Sequence, residues 1–330
     1  MPGLRGVPQF FQRWEQMSKH KKIAFLFPGQ GAQTVGMGKD FWVQYSCARA
    51  VFEEGDDILG RSLSKIIFEG PSEVLTETRN SQTGIYLTSM ALLKVIQEQF
   101  PEITPSVCSG LSLGEYTALT ASGHLPFETC LPLVQFRGES MNAACEATQG
   151  TMAALFGLSA EDVETMVKEL NLPTDLWVAN FNCPGQTVIS GTLKGIETGI
   201  DAAKKRGAKR AIPLKVHGAF HSGLMRLAEE KLSRKLSEIE ILKSPVQLIM
   251  NVCGDFVEDP EQIRANLVKQ VTSPVRWEQG IRKMEPSVDL YIEIGCGRTL
   301  AGMNKQIGIA VPTISINSLE DLEKLTSIPS

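Results

Sequence analysis

The sequence has little histidine and no paired cysteines. It holds four histidines and seven cysteines. The cysteines, at 47, 108, 130, 145, 183, 253 and 296, form no CxxC and no cluster with a histidine. This excludes a zinc site of ordinary ligand spacing and a small disulfide scaffold. An odd number of widely spaced cysteines fits reduced, mostly buried thiols, and a cytoplasmic protein is expected. No window approaches the roughly 18 consecutive apolar residues of a membrane span. The run Ile23–Phe27 is far shorter, so no membrane partner is expected. Positive charge is not in excess: 33 Lys and Arg stand against 37 Asp and Glu, a net charge of −4. Nucleic acid is therefore excluded as the main partner. Internal repeats and low-complexity tracts are absent as well. What remains is 330 residues, 42% hydrophobic and 21% charged, the composition of a soluble globular protein. That length suits two domains, or one large core with an inserted lobe.

Residues 1–20 lack the apolar core of a secretory signal. Met17, in MSKHKKIAFLF, reads as a natural start, making residues 1–16 an extension. Residues 1–20 are expected to be disordered.

Strands and helices then alternate. Ile23–Phe27 reads as a buried strand, 81–100 as a helix ended by Pro101, and 104–108 as a strand. Helices follow at 115–122 and 127–147. From 150 to 215 the rhythm changes: strand 152–157, helix 159–170 with Ser159 as its cap, strands 176–180 and 187–190, helix 193–205, strand 211–216. That order, β-α-β-β-α-β, is the ferredoxin-like split unit. Alternation resumes with helix 223–240, strand 246–250, helices 260–270 and 276–284, strand 288–294 and helix 298–306. The fold class expected is α/β, a parallel-sheet core with an inserted ferredoxin-like subdomain. Its division is 21–148 with 217–330 for the large part and 149–216 for the small one.

Gly110-Leu-Ser-Leu-Gly114 is a GxSxG between a strand and a helix, the setting of a nucleophile elbow. A sharp turn there lifts the Ser112 hydroxyl clear of the sheet edge, and the next N–H can face an oxyanion. Such a serine needs a base, and His20, His124, His217 and His221 are the candidates. His217 and His221 flank GAF at the re-entry from the inserted lobe, a natural cleft wall. Arg137, in QFRGE, is either a helix-surface cation or a planar fork for a substrate carboxylate. The loop FPGQGAQ fits no nucleotide motif. Met37 stands where a phosphate loop needs lysine, and Thr34 where the dinucleotide pattern needs its third glycine. It reads as a tight turn lending N–H groups to a neighbouring site.

FPGQGAQ, GLSLGEYTAL, QFRGESM, ANFNCPGQTVISG, GAFHSGLM and LVKQVTSPVRW occur in that order. Together they resemble the malonyl-CoA:acyl carrier protein transacylases of fatty-acid and polyketide synthesis, over residues 22 to 310. The resemblance implies an α/β-hydrolase-like core. It implies Ser112 as nucleophile, His221 as base and Arg137 as holder of the malonyl carboxylate. It gives the oxyanion N–H groups to Gln30 and Leu113, places Gln270 beside the site with a carbonyl orienting the histidine, and sets Asn182 in the cleft wall. It implies no third catalytic carboxylate, no metal and no cofactor: malonyl-CoA and a phosphopantetheinyl acyl carrier protein are substrates of what is expected to be a monomer. In one departure, Leu111 stands where the family usually has histidine. A base at the ordinary imidazole pKa of ~6.5 would suit both half-reactions. Lys204, Lys205, Arg206, Lys209, Arg210 and Lys215 fall in a stretch without acids, a candidate docking face for an acidic carrier. Transfer is expected to supply extender units for fatty-acid synthesis, and the rival readings are a trans-acting polyketide acyltransferase, a serine esterase or thioesterase, and an inactive scaffold.

Overall fold

The computed structural model describes residues 21–216 and 218–328. The segment expected to be disordered, the alternative start at Met17, His20 and His217 lie outside the described residues. In chain order the elements are β1 (Ile23–Phe27), α1 (Lys39–Gln44), α2 (Ser46–Leu59), α3 (Leu63–Glu69), α4 (Ser72–Thr76), α5 (Thr78–Gln99), β2 (Pro105–Gly110), α6 (Gly114–Ala121) and α7 (Phe127–Ala147). Next come β3 (Gly150–Phe156), α8 (Ala160–Leu170), β4 (Leu176–Cys183), β5 (Gln186–Thr192), α9 (Leu193–Lys205) and β6 (Arg210–Pro213). The chain continues through α10 (Arg226–Ser237), β7 (Gln247–Met250), β8 (Asp255–Val257), α11 (Pro260–Gln270), α12 (Trp277–Met284), β9 (Leu290–Ile294), α13 (Thr299–Ile307) and β10 (Thr313–Ile316).

The five residues of β1, IAFLF, are all buried, as a strand covered on both faces requires. It sits inside a six-stranded sheet of order β10-β9-β1-β2-β7-β8. All pairs are parallel except β7 with β8. Alternation along β1 divides the core: Phe25 and Phe27 join the larger apolar cluster, Ala24 and Leu26 the one containing Trp277, Tyr291 and Leu300. The second sheet is antiparallel with order β4-β5-β3-β6, the ferredoxin-like arrangement. Its first helix starts as expected: Ser159 and Asp162 form a reciprocal capping box. A bridge between Asn180 and Val275 ties β4 to the segment after α11. The expected α/β class, with a parallel core and a ferredoxin-like unit, holds.

Several elements differ from expectation. Nothing in the reading above covers 39–76, where four helices form. Glycines at positive φ, Gly38, Gly60 and Gly70, and the extended Tyr45 divide that stretch into its four helices, three of which are seven residues or shorter. The helix expected at 223–240 opens with a 3-10 turn, Gly223–Met225, and stops at Ser237. The strand expected at 211–216 is β6, 210–213. β8 and β10 are three and four residues long, too brief for alternation to register.

Candidate active site

The elbow is built by close backbone approach. A Cβ on Gly110 would lie 2.0 Å from the carbonyl of Gly114, and one on Gly114 would lie 2.1 Å from the carbonyl of Phe27. No side chain fits at either place. Ser112 between them has φ +52°, the left-handed region. A non-glycine residue there costs roughly 1–2 kcal/mol and persists only where its surroundings enforce it. The loop after β1 presses on the same turn, since a Cβ on Gly29 would meet the Leu111 carbonyl at 2.3 Å. Gln30 is thereby carried to the elbow. Among the described residues, the backbone N–H groups of Gln30 and Leu113 have no backbone acceptor. Leu113 precedes the first turn of α6, whose own N–H groups turn back onto Leu111, Ser112 and Leu113 and leave the Leu113 N–H free of a backbone carbonyl.

His221 Nε2 lies 2.8 Å from Ser112 Oγ. Its Nδ1 faces two carbonyls, Gln270 at 2.8 Å and Ser273 at 3.2 Å. Carbonyls only accept, so the network assigns the proton to Nδ1 and leaves the Nε2 lone pair toward the serine hydroxyl. Among the described residues, no carboxylate is a partner of the ring. Burial, and then the Arg137 cation, push the imidazole pKa down to about 4, against a smaller upward pull from the two carbonyls. The expectation of an unperturbed imidazole is corrected here: desolvation keeps the ring neutral well below physiological pH.

Arg137 is fully buried in the middle of α7. It is no surface cation. Gly138 permits this by letting α7 touch α5; a Cβ there would lie 2.9 Å from Cα of Arg79. The guanidinium donates from Nη2 to Ser112 Oγ at 3.1 Å and to Gln270 Oε1 at 2.8 Å, and from Nη1 to Gln82 Oε1 at 2.5 Å. The Tyr116 ring centroid is 5.4 Å away. None of these partners is a carboxylate. Burial lowers the Arg137 pKa, while Tyr116 and Glu115 pull it up. A buried cation held by neutral groups is a receptor for an anion.

Gln30, Ser112, Asn182 and His221 line one cleft of about 350 Å³, with Leu111, Met141, Met152, Phe220 and Met303. Leu113 and Gln270 are buried, with no exposed surface. Leu111 fills the position of the usual histidine and packs toward the apolar cluster of Leu26 and Leu300. The Asn182 Oδ1 is buried and has no partner among the described residues. His124 is elsewhere, past the far end of α6, where its Nδ1 meets Ser122 Oγ at 2.8 Å. The six basic residues between 204 and 215 are exposed, and Lys215 reaches the cleft rim.

Sequence reasoning missed Gln82, Glu115, Asn251 and Ser273. Gln82 also donates to Gln30 Oε1 at 3.2 Å, linking guanidinium and loop. Asn251 follows the carboxyl end of β7, the edge where α/β sheets gather their sites, and that position was the available signal. Glu115 sits in a first helical turn, where a carboxylate usually serves the helix dipole in solvent. Nothing in the sequence marked Gln82 or Ser273.

An elbow serine on a neutral imidazole, with unpaired N–H groups beside it and a buried guanidinium opposite, defines a site for acyl chemistry on an anionic substrate. Comparison with known proteins narrows the class. Residues 24–308 match the acyl transferase domain family, and the chain belongs to it. It is 44% identical over 304 residues to the malonyl CoA-acyl carrier protein transacylase of Bacillus subtilis (strain 168), covering 92% of this chain and 95% of that one. The crystal structure of acyl-carrier-protein-S-malonyltransferase from Bartonella henselae superposes with a TM-score of 0.87 at 39% identity, covering 92% and 98% of the two chains. A malonyl-transacylase solved with its type II PKS acyl-carrier protein gives 0.88 at 35% identity, covering 93% and 99%.

Proposed function

We propose that the protein transfers malonyl from malonyl-CoA to the phosphopantetheine thiol of an acyl carrier protein, through a malonyl ester on Ser112. His221 Nε2 takes the hydroxyl proton as Ser112 Oγ bonds to the thioester carbon. The C–S bond then breaks, and the imidazolium returns its proton to the CoA sulfur. In the second half His221 takes the proton of the carrier thiol, sulfur attacks the ester, and Ser112 regains its hydroxyl. The N–H groups of Gln30 and Leu113 hold the oxyanion in both halves; each such donor contributes ~2.7–4 kcal/mol to the transition state. Gln270 and Ser273 hold the histidine through their carbonyls, and Asn182 lines the entry. Residues 21–148 with 217–330 act as the large part and 149–216 as the small one, the cleft lying between. No cofactor enters this reaction, which belongs to cytoplasmic fatty-acid synthesis.

One observation carries the reading: Arg137 Nη2 and His221 Nε2 both reach the same hydroxyl, at 3.1 and 2.8 Å. A single methylene separates the two carbonyl carbons of malonyl. Nucleophile and guanidinium must therefore share one site, and they do. Acetyl would leave the fork unpaired. Phe220, on the cleft wall beside the base, narrows the room for an α-methyl branch. An esterase has no use for the fork. The test is the intact mass of the protein after malonyl-CoA is added. A malonyl adduct absent from Ser112→Ala and discharged by carrier protein supports transfer. Free malonate without a retained adduct replaces it with hydrolysis.

A further inference from the structure

Glu115 is almost completely buried, lies three residues past the nucleophile, and has no part in the acyl transfer described. Its Oε1 accepts the backbone N–H of Asn251, and its Oε2 accepts from Gln270 Nε2. Both of those residues act on the elbow. The Asn251 side chain spans the turn: its Oδ1 accepts the Ser112 N–H at 2.7 Å, and its Nδ2 donates to the Gly110 carbonyl at 2.8 Å. Gln270 Nε2 also donates to the Ser112 carbonyl at 2.8 Å. Both peptide groups of the strained serine are thus clamped, one by the end of β7 and one by the end of α11. The same Gln270 receives Arg137 on its side-chain oxygen and His221 on its backbone carbonyl.

We propose that Glu115 is a positioning residue: by joining Asn251 to Gln270 it fixes the left-handed Ser112 and sets the base and the guanidinium in register with it. This goes beyond the transfer reading but shares its nucleophile. Both carboxylate oxygens face donors, so the ionised form fits the site without rearrangement. Burial opposes that form, raising the pKa to about 8, while Asn251, Gln270 and Arg137 pull it back. A glutamine here would turn an NH₂ toward one of two donors. Either Asn251 or Gln270 would then move, and the serine with it. Misplacement of reacting groups by about 1 Å costs on the order of 100-fold in rate.

The experiment uses the full chain and two reagents. Malonyl-CoA loading is followed in single turnover by intact mass. Phenylmethanesulfonyl fluoride labels the same serine without needing a carboxylate site: the Oγ–S bond forms, S–F breaks, and the proton passes to His221. Glu115→Gln is expected to lower both rate constants by about 10- to 100-fold while KM for malonyl-CoA stays within about threefold. Reduced amplitude at an unchanged rate constant would mean a smaller folded fraction and overturns the proposal, as does a raised KM at unchanged kcat. Asn251→Ala removes one arm of the clamp while keeping the Glu115 carboxyl group and its backbone N–H partner in place. It should give the same pattern, and an unchanged rate constant there overturns the proposal even if the glutamine variant does not fold. Should the unaltered protein fail to load malonyl at all, the transfer reading falls, and the sulfonyl fluoride arm still decides the role of Glu115.

Discussion

Helix α6 has a serine hydrogen-bonded to a histidine at each end. Before its N-terminus, Ser112 Oγ lies 2.8 Å from His221 Nε2; after its C-terminus, Ser122 Oγ lies 2.8 Å from His124 Nδ1. The distances match and the chemistry does not. At the first end the backbone is left-handed, two N–H groups lack backbone acceptors, and a cleft opens onto the hydroxyl. At the second, Ser122 has φ −85°, and the N–H groups of Ser122, Gly123, His124 and Leu125 all close onto the last turn of the helix. Ser122 Oγ also donates to the Leu119 carbonyl at 3.1 Å, so its proton is spent on the backbone. The helix dipole favours an anion where Ser112 stands and opposes one beyond Ser122. A serine–histidine contact becomes a nucleophile only where N–H groups are left to receive the oxyanion.

The sharpest way to break this comparison is to remove each imidazole. His221→Ala should lower the rate of Ser112 malonylation by on the order of 10⁴- to 10⁶-fold, as loss of a base that acts in one unit with its nucleophile does. An equal loss in His124→Ala would erase the distinction. The pH dependence tests the His221 end further. A base whose pKa is held at about 4 is lost only as pH falls through that value. Acylation should therefore keep about nine-tenths of its neutral rate at pH 5, where an imidazole at ~6.5 would keep a few per cent. Half-loss near pH 6.5 in quenched-flow acylation would show that the ring is not desolvated in the working enzyme.

The next effect is smaller and concerns what the N-terminal site selects. Arg137→Ala should reduce malonyl loading by about 10²- to 10³-fold, as truncating one partner of a buried charge pair does. Acetyl loading should rise relative to malonyl. Unchanged selectivity, measured as the ratio of adducts from mixed acyl-CoA, would refute the fork. Weaker still is the outer surface. Lys204 and Arg206 already pair with Asp201 and Glu169. Reversing the charge of Lys204, Lys205 and Arg206 should slow transfer to carrier by about tenfold while leaving CoA loading in place. Equal effects on both halves would return that stretch to an ordinary solvated helix end.

The sequence made the N-terminal end of α6 readable because its requirements fall on residue types. A turn in which backbone meets backbone must have glycine, so Gly110 and Gly114 announce the elbow. The buried fork was legible only through the family resemblance, since the residues alone left Arg137 open between a surface cation and a fork. The period-2 and period-3.6 rhythms were long enough to reveal the ferredoxin-like unit, whose capping serine sits where expected. The clamp behind the elbow was not legible. Asn251, Gln82 and Glu115 come from separate stretches, and contacts between them leave no spacing to read. The three-dimensional meeting of α5, α6 and the end of β7 identifies them. The depressed histidine was hidden too, since burial depends on what packs over a ring and not on its neighbours in the chain.

Ser122→Ala is the smallest of these perturbations and tests the comparison most closely. It leaves the hydrogen-bonding nitrogen of a buried ring without its partner, which costs about 1–3 kcal/mol. Chemical denaturation should record that loss. The acylation rate should stay within about twofold, because no N–H group at that end faces the cleft and substrate never meets it. His124 would keep its carbonyl contact with the Leu242 N–H at 2.9 Å, so the loop between α6 and α7 should hold its place. A rate loss as large as the stability loss would mean that the two ends of the helix are mechanically coupled. The elbow would then depend on the whole length of α6, and its glycines alone would not account for it.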